Sequence, residues 1–261
     1  MIPRIIHYCW FGKKPKPKLA YKCIQSWKEK CQGYKIIEWN EDNYNISQAP
    51  MYVQQAYKAK KWAYVTDYVR LFVVNKYGGI YLDTDVQTIK SYDFLLKYSA
   101  FFGFENTSYV NTGLGFGAEK GLSIIKQLMD EYEHICFIKE NGEFDLTPCP
   151  QINTKVLIRY GLIQNGKTQL VKENIIVLAS DFLCPIDYDT LKINKTLNTV
   201  SIHWFDSSWM SSQEKKIQRK QAKKAKLRNA KHTIMHIPNR IVMLVLGKEK
   251  YDNVKQKLKR R

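Results

Sequence analysis

Apolar and polar positions alternate along the first 200 residues in two ways, as short apolar runs and as longer stretches with helical spacing. The runs RIIHYC, YKIIEW and IYLD are short and rich in β-branched and aromatic residues, which is typical of buried strands. Between them, LAYKCIQSWKEKC and KKWAYVTDYVRLFVVNKYGG place their apolar residues on one helical face. The order of strand, helix and strand predicts a largely parallel sheet covered by helices.

The same pattern continues to about residue 206. The spacing predicts further strands in SAFFGFE, TGLGFGAE, NIIVLA and NTVSIHW, and further helices in GLSIIKQLMDEYEHICF and CPQINTKVLIRYG. We find no internal repeat. The sequence therefore predicts one α/β domain over residues 1–212, followed by a basic, largely helical tail over residues 213–261.

The formal net charge of +18 is concentrated in the tail. Residues 213–261 contain 17 Lys and Arg against three acids, a net charge of +14, so the first 212 residues carry only about +4. The basic balance therefore does not indicate a nucleic-acid-binding core, and no nucleic-acid partner is expected.

Cysteine usage and hydropathy bear on the compartment. The six cysteines are scattered, with no C-x-x-C pair, which favours reduced thiols in the cytoplasm. The first residues contain too short an apolar stretch for a signal peptide, and no apolar run approaches the ~20 residues that span a bilayer.

Two acids, Asp83 and Asp85, follow the short apolar run IYL. On an extended chain they point to the same side, and the carboxyl end of a strand is where open α/β sheets bind ligands. A hard cation, Mn²⁺ or Mg²⁺, would relieve their mutual repulsion. The alternative is a surface turn with two solvated acids.

Asp67 and Arg70 stand three residues apart on the helix that precedes this run, and so share one face of it. One interpretation is a local surface salt bridge worth about 0.5 kcal/mol. The other is functional, with Arg70 neutralising a phosphate and Asp67 accepting hydrogen bonds from sugar hydroxyls.

A phosphatase of the haloacid-dehalogenase type is a rival explanation for a D-x-D motif at the end of a strand. That pattern requires Thr or Val two residues after the second Asp, where this chain has Gln87, with Thr88 one residue late. The phosphatase therefore remains a minor alternative.

Four segments together resemble the DXD-containing glycosyltransferase family 32, which includes bacterial capsular-polysaccharide transferases and yeast α-mannosyltransferases and is related to the catalytic domain of large clostridial toxins. The segments are IPRIIHYCWFG, AYVTDYVRLFVVNKYGGIYLDTDV, NTGLGFGAEKG and SIHWFDSSW. The resemblance implies a nucleotide-sugar-binding fold of the GT-A type, with a mixed, mostly parallel central sheet flanked by helices.

The resemblance also implies roles for single residues in binding the donor. It assigns Trp10 to stacking on the nucleotide base, for which an aromatic plane is physically suited. It assigns catalytic roles to Asp67, Arg70, Asp83 and Asp85. The donor-binding residues that it implies are Trp10, Thr66, Asp67, Arg70, Tyr81, Asp83, Asn111, Gly113, Ser208 and Trp209.

For the cation, the resemblance implies Asp85 as the direct ligand, with His203 and Asp83 completing the set. A core position for Trp10, a hydrogen-bonded His203 at a strand end and a glycine-rich strand around Gly113 are the structural alternatives. Cys149 replaces a glycine that is usual in the family, which puts a role for Gln151 near the acceptor in doubt.

The implied activity is a metal-dependent, retaining hexosyltransferase that uses Mn²⁺ or Mg²⁺. The donor is a nucleotide sugar, with a UDP-sugar favoured, and the acceptor is a hydroxyl of a glycan, lipid-linked in the preferred interpretation, in capsule, exopolysaccharide or other surface-polysaccharide synthesis. A basic membrane- or nucleic-acid-binding protein with a non-catalytic α/β domain is the alternative from another class.

The tail combines lysines with one apolar cluster at residues 241–246. It is either a solvated or disordered end or a peripheral anchor whose lysines meet anionic lipid while Ile234, Met235, Ile237 and the cluster enter the interface. The second interpretation predicts a cytoplasmic protein bound peripherally to the inner face of the plasma membrane.

We expect the full chain to float with vesicles that contain anionic lipid and a chain ending at Ser212 to stay in the soluble fraction. The attraction is electrostatic, so binding of the full chain should weaken as salt is raised. Neutral vesicles serve as the control. Equal flotation of the two chains would exclude the anchor.

Overall fold

The computed structural model describes residues 1–186 and 192–206 of the 261-residue chain. Nine strands and six α-helices occur in these ranges. The strands are β1 (Ile5–Cys9), β2 (Lys35–Trp39), β3 (Gly79–Tyr81), β4 (Val86–Thr88), β5 (Ala100–Gly103), β6 (Phe116–Ala118), β7 (Gln169–Val171), β8 (Ile175–Leu178) and β9 (Ser201–His203). The helices are α1 (Lys18–Lys30), α2 (Met51–Lys58), α3 (Trp62–Tyr77), α4 (Ser123–Glu133), α5 (Cys149–Arg159) and α6 (Ser180–Leu183).

The central sheet has seven strands in the order β2-β1-β3-β6-β5-β8-β7. Strands β1, β2, β3, β5 and β8 run in one direction, while β6 and β7 run against them. The predicted mixed, mostly parallel sheet is therefore confirmed, and the architecture agrees with the α/β fold of the GT-A type that the resemblance implies. The carboxyl ends of the five co-directional strands lie at one edge, where open α/β sheets bind ligands.

Helices cover both faces of this sheet. Consecutive residues on a strand point to opposite faces, and Phe101 and Phe102 on β5 belong to two different apolar clusters. Val69 of α3 lies in the cluster with Phe102, and Trp27 of α1 lies in the cluster with Phe101. Both clusters are fully buried at these positions, as expected for a parallel sheet enclosed by helices.

Two glycines allow α3 to lead directly into β3. Gly78 has φ +66 and Gly79 has φ +105, values that favour glycine. A Cβ on Gly79 would stand 2.8 Å from the carbonyl oxygen of Ile5, and one on Gly78 would stand 2.8 Å from Cδ of Pro3. The glycine pair thus places β3 tightly against the start of β1.

The pattern did not predict α2, α6, β4 or β7, which are all eight residues or shorter. Strand β4 does not join the central sheet but pairs with β9 in a separate two-stranded antiparallel sheet. Helix α1 fixes β4, because the Trp27 indole donates to the Val86 carbonyl oxygen at 2.7 Å and the Ser26 hydroxyl accepts from the Thr88 N–H at 2.9 Å.

All six cysteines lie within the described ranges, and no two of them form a disulfide there. No helix within residues 1–186 or 192–206 has the length and apolar character to cross a membrane. The tail predicted over residues 213–261, the domain boundary before it and the proposed anchor residues lie outside the described ranges.

His7 is a structural residue, as its apolar neighbours in β1 indicate. The ring is fully buried, Nε2 donates to the Gly78 carbonyl oxygen at 2.8 Å, and Nδ1 accepts from the Trp39 indole at 3.1 Å. A proton on Nδ1 would face the indole N–H, so these partners require the neutral ring. Burial lowers the pKa of His7 to about 4.

This pKa predicts acid sensitivity. In the unfolded chain the ring takes up a proton below pH ~6.5, while in the folded chain it stays neutral until pH ~4. The free energy of unfolding should therefore fall by about 3 kcal/mol on account of His7 as the pH drops through this window. Denaturant titrations between pH 7 and 4 measure the fall.

A His7→Gln variant is expected to be less stable overall but to lose this part of the pH dependence. His134→Gln, which changes an exposed histidine, is the matched control and should keep it. Titration of the His7 ring near pH 6.5 by NMR would contradict the prediction.

Candidate donor and metal site

The two acids of the D-x-D motif lie in a tight turn between β3 and β4. The Val86 N–H donates to the Asp83 carbonyl oxygen at 3.0 Å, so the chain is not extended here as the sequence argument assumed. The acids do converge, but the reason is the turn, which closes within four residues, and not the alternation of a strand. Thr84 lies between them at the tip of the turn.

His203 joins the two acids across the β4–β9 ladder. Val86 is the register partner of His203, which brings the ring next to the turn. Its Nε2 lies 3.1 Å from Oδ1 of Asp85 and 4.0 Å from Oδ2 of Asp83. One ligand atom from each of the three residues lies within 4.8 Å of the others, so the predicted set comes together.

The remaining oxygens of the two acids are bonded to the protein. Oδ2 of Asp85 accepts from the backbone N–H of Asp206 at 2.9 Å, and Oδ1 of Asp83 accepts from the Tyr81 hydroxyl at 2.8 Å. Each carboxylate is thereby oriented, with its other oxygen towards His203.

The ligand atoms of these three residues suit Mn²⁺ or Mg²⁺. Carboxylate oxygens suit both ions, and imidazole is more usual for Mn²⁺ than for Mg²⁺. Nδ1 of His203 is buried, and the described part of the chain gives it no hydrogen-bond partner, so no protein acceptor there fixes which ring nitrogen carries the proton. We infer that Asp83, Asp85 and His203 can hold a divalent ion together.

Electrostatics separate the two acids. Burial alone would raise the pKa of Asp85, but the charge and hydrogen bond of His203 and the Asp206 N–H hold it below its usual range. Burial raises the pKa of Asp83, with Arg70 opposing and Asp85 adding to the rise. Burial alone would lower the pKa of His203, but the charge and hydrogen bond of Asp85 and the charge of Asp83 outweigh it and raise the pKa above its usual value.

Asp67 and Arg70 are not the exposed salt bridge that was the alternative. They are 7% and 3% exposed, and Nη2 of Arg70 lies 3.1 Å from Oδ1 of Asp67 and 3.4 Å from Oδ1 of Asp83. Burial raises the pKa of Asp67 to about 6, although Arg70 opposes the rise. A buried ion pair is costly to form. Its position beside the three candidate metal ligands therefore indicates a functional role.

The guanidinium of Arg70 is enclosed on every side. Nε donates to the carbonyl oxygen of Thr66 at 3.1 Å, and Nη1 lies 3.3 Å from Oγ1 of Thr112 and 3.7 Å from Sγ of Cys149. The Tyr81 ring lies beneath it, with its centroid 5.2 Å from Cζ. Thr66 and Tyr81 therefore belong to the cluster that the sequence predicts.

Asn111 and Gly113 also reach this cluster. Asn111 precedes a short 3₁₀ turn, and its Oδ1 accepts from the Gly113 N–H at 2.6 Å. A Cβ on Gly113 would stand 2.6 Å from Oδ2 of Asp83 and 3.3 Å from Nη1 of Arg70. The backbone must approach the acid closely, which only glycine allows here.

Trp10 lies just past the end of β1, next to β3 in the sheet, and is half-buried. Its indole N–H donates to the Lys14 carbonyl oxygen at 2.6 Å, and the Lys16 ammonium lies 5.9 Å from the ring centroid. The ring does not belong to either apolar cluster of the core. Ser208 and Trp209 lie outside the described residues.

Sequence reasoning missed several residues that contact this cluster. Thr112 and Cys149 touch Arg70, Asn153 donates to Oγ1 of Thr112 at 3.0 Å, and Glu105 accepts from the Asn111 amide at 2.6 Å. Thr112, Cys149 and Asn153 carry no local signal, because their contacts depend on tertiary packing. Glu105 does carry one, since it follows a predicted strand as Asp83 does.

Residues 17–102 match the family model of the glycosyltransferase sugar-binding region containing the DXD motif. Inositol phosphoceramide mannosyltransferase 3 of Schizosaccharomyces pombe is 27% identical over 142 residues. That match covers 52% of this chain and 38% of the yeast protein, so the chain spans well under half of that relative.

Two solved structures are similar to parts of this chain. PaToxG glycosyltransferase has a TM-score of 0.45 and 17% identity, covering 60% of this chain and 69% of that one. A glycosyltransferase involved in glycosylation of the major capsid of PBCV-1 has a TM-score of 0.43 and 13% identity, covering 85% of this chain and 99% of that one. At these TM-scores neither likeness carries weight for the function of this chain.

Gly113→Ala is expected to disable the site without unfolding the protein. The new Cβ would displace the Asp83 carboxylate, so the affinity for Mn²⁺ should fall at least about tenfold. The free energy of unfolding should change by only a few tenths to about 1 kcal/mol. Isothermal titration with MnCl₂ measures the first effect and thermal unfolding the second.

Gly142→Ala is the matched control. It strains a glycine with φ +80 that has nothing within 4 Å, so it should cost stability and leave Mn²⁺ affinity unchanged. Unchanged affinity in Gly113→Ala would contradict the placement of Asp83 among the metal ligands.

The match over residues 17–102 spans the turn with Asp83 and Asp85 and the buried pair on α3. The resemblance inferred from the sequence is thereby supported over this part of the chain: residues 17–102 are similar to the glycosyltransferase sugar-binding region that contains the DXD motif.

Proposed function

We propose that the chain is a metal-dependent, retaining glycosyltransferase that moves a hexose from a nucleotide-diphosphate sugar to a hydroxyl of a glycan acceptor. The observation that carries the proposal is the convergence of Asp83, Asp85 and His203 within 4.8 Å, beside the buried Arg70. The two acids and Arg70 lie inside the matched range, and His203 lies next to them in space. A phosphatase is not favoured, since the matched model describes sugar binding.

Asp83, Asp85 and His203 are the residues that would hold Mn²⁺ or Mg²⁺. The ion supplies positive charge against the diphosphate as the bond to the sugar breaks. His203 would bind such an ion only as the neutral ring, through Nε2, which faces Asp85 and Asp83.

Arg70 is suited to stabilise the same negative charge from the protein side. Its contacts to Asp83, Thr112 and Cys149 are long, between 3.3 and 3.7 Å. Because long contacts contribute little energy, the guanidinium can replace them with contacts to phosphate oxygens at the least energetic cost. The shorter contacts to Thr66 and Asp67 would keep the guanidinium in place meanwhile.

The positions of the other predicted residues support the remaining donor contacts of the proposal. Trp10 offers a ring to the base, while Tyr81, Thr66, Asn111 and Gly113 line the cluster around Asp83 and Arg70. Ser208 and Trp209 are proposed to cover the donor from the segment after His203.

For the reaction itself we propose attack of the acceptor on the face that the diphosphate leaves. The acceptor hydroxyl oxygen bonds to the anomeric carbon as the bond from that carbon to the diphosphate breaks, and the departing phosphate takes the hydroxyl proton. Asp67 is paired with Arg70, and Asp83 is assigned to the cation, so the proposal uses neither as a covalent nucleophile.

The acceptor is proposed to be a lipid-linked glycan in capsule, exopolysaccharide or other surface-polysaccharide synthesis, with a UDP-sugar as donor. The yeast relative is named for a phosphoceramide, which is a lipid acceptor. A membrane-bound acceptor also agrees with peripheral attachment through the basic tail at residues 213–261.

Asp85→Asn is expected to abolish metal-dependent transfer and leave the protein folded. Asparagine keeps the shape and can accept from the Asp206 N–H, but it loses the charge that holds the ion. A panel of nucleotide sugars with Mn²⁺, measured by thermal shift and by release of nucleoside diphosphate, identifies the donor. With that donor, Asp85→Asn should release nucleoside diphosphate at least about a hundredfold more slowly than the wild-type protein.

Asp130→Asn, which removes an exposed carboxylate on α4, is the control and should retain full activity. Full activity of Asp85→Asn with Mn²⁺ present would refute the metal assignment. The absence of any shift with every nucleotide sugar would favour the non-catalytic alternative.

A further inference from the structure

Glu105 stands at the same edge of the sheet as the D-x-D turn. Strand β5 runs in the direction of β3, because each pairs antiparallel with β6. The carboxyl ends of β3 and β5 therefore meet one edge, and Glu105 follows β5 by two residues just as Asp83 follows β3 by two. It lies beyond the matched region, which ends at residue 102.

Hydrogen bonding fixes the chemical role of Glu105. Oδ1 of Asn111 accepts from the Gly113 backbone N–H at 2.6 Å, and only an oxygen can accept there. The other end of the Asn111 amide is therefore the nitrogen, and it donates to Oε2 of Glu105 at 2.6 Å. Glu105 is thus an acceptor that holds Asn111 in one orientation.

Asn111 connects Glu105 to the donor cluster. Its Oδ1 lies 3.0 Å from the position that a Cβ on Gly113 would take, and Oδ2 of Asp83 lies 2.6 Å from the same position.

One oxygen of Glu105 remains for a ligand. The side chain is half-buried, and within residues 1–186 and 192–206 the structure gives Oε1 no hydrogen-bond partner. A carboxylate oxygen beside a sugar-binding cluster can only accept, and the donors that a hexose presents are its hydroxyl groups.

We propose that Glu105 is a specificity-determining residue of the donor site. One carboxylate oxygen orients Asn111, and the other accepts a hydrogen bond from a hydroxyl group of the transferred sugar. The inference rests on the proposed function, since it requires a nucleotide sugar in this site. It selects donors that carry a hydroxyl at that position over donors that lack one.

Glu105→Gln separates the two roles. Glutamine can still accept from Asn111 with its oxygen, but its amide nitrogen cannot accept from a hydroxyl. Affinity for the nucleotide sugar should fall about tenfold or more, because a charged hydrogen-bond acceptor is lost. Affinity for the bare nucleoside diphosphate should stay within about twofold, because it has no sugar to contact Glu105.

The measurement is isothermal titration of the full chain with Mn²⁺ and the nucleotide sugar found in the panel, and with its nucleoside diphosphate alone. Glu143→Gln is the matched control, since Glu143 also accepts from an asparagine amide, that of Asn141 at 3.0 Å, but in an exposed loop. It should leave both affinities unchanged. Thermal unfolding checks that each variant is folded.

Donor analogues that each lack one hydroxyl identify the contact. Wild-type protein should bind one analogue about tenfold more weakly than it binds the intact donor. Glu105→Gln should bind that analogue as tightly as it binds the intact donor. An unchanged affinity of Glu105→Gln for the intact donor, or an equal loss for the nucleoside diphosphate, would overturn the inference while leaving the proposed function standing. Failure of wild-type protein to bind any nucleotide sugar would overturn both.

Discussion

The burial of one guanidinium between two carboxylates determines the rest of the site. Arg70 lies within salt-bridge distance of Asp67 on its own helix and of Asp83 in the turn after β3, and the described part of the chain leaves it almost no contact with solvent. Such an arrangement stabilises the fold only weakly, because desolvation offsets the attraction. It does fix where α3, the turn and the segment carrying Thr112 lie relative to one another, since moving any of them would leave a charge or a polar group buried and unpaired.

The features that the sequence predicts correctly share one property, which is that their signal is local. The apolar period of α3, the glycine pair after it and the acids after β3 are all read from neighbouring residues, and the structure confirms each of them. The convergence of Asp83 and Asp85 was expected for the wrong reason, because a turn defined by one backbone hydrogen bond leaves no pattern in the chain. Helices α2 and α6 and strands β4 and β7 were missed because they are short and owe their form to packing and pairing.

The surroundings of Arg70 show where local inference ends. Cys149 and Asn153 come from α5, far along the chain, and nothing in their own segment indicates that they reach α3 or the Thr112 turn. His203 was placed through family resemblance, and the structure supplies the physical cause, which is the register of β4 with β9. Glu105 lies between these cases, because its place after a strand is readable from sequence, while its bond to Asn111 is not.

The backbone hydrogen bond from Asp206 to Asp85 limits how this acid can serve as a ligand. With Oδ2 occupied at 2.9 Å, Asp85 offers Oδ1 alone, and Asp83, bonded to Tyr81 through Oδ1, offers Oδ2 alone. In the proposed metal site both would thus be monodentate ligands, and the protein would supply one atom from each of three residues. A hard cation takes six or more ligands, so a large part of its coordination shell is left to solvent and to a phosphate-bearing ligand. An ion held in this way would bind weakly to the protein alone and more firmly once the nucleotide arrives, so that metal and donor would load as a unit.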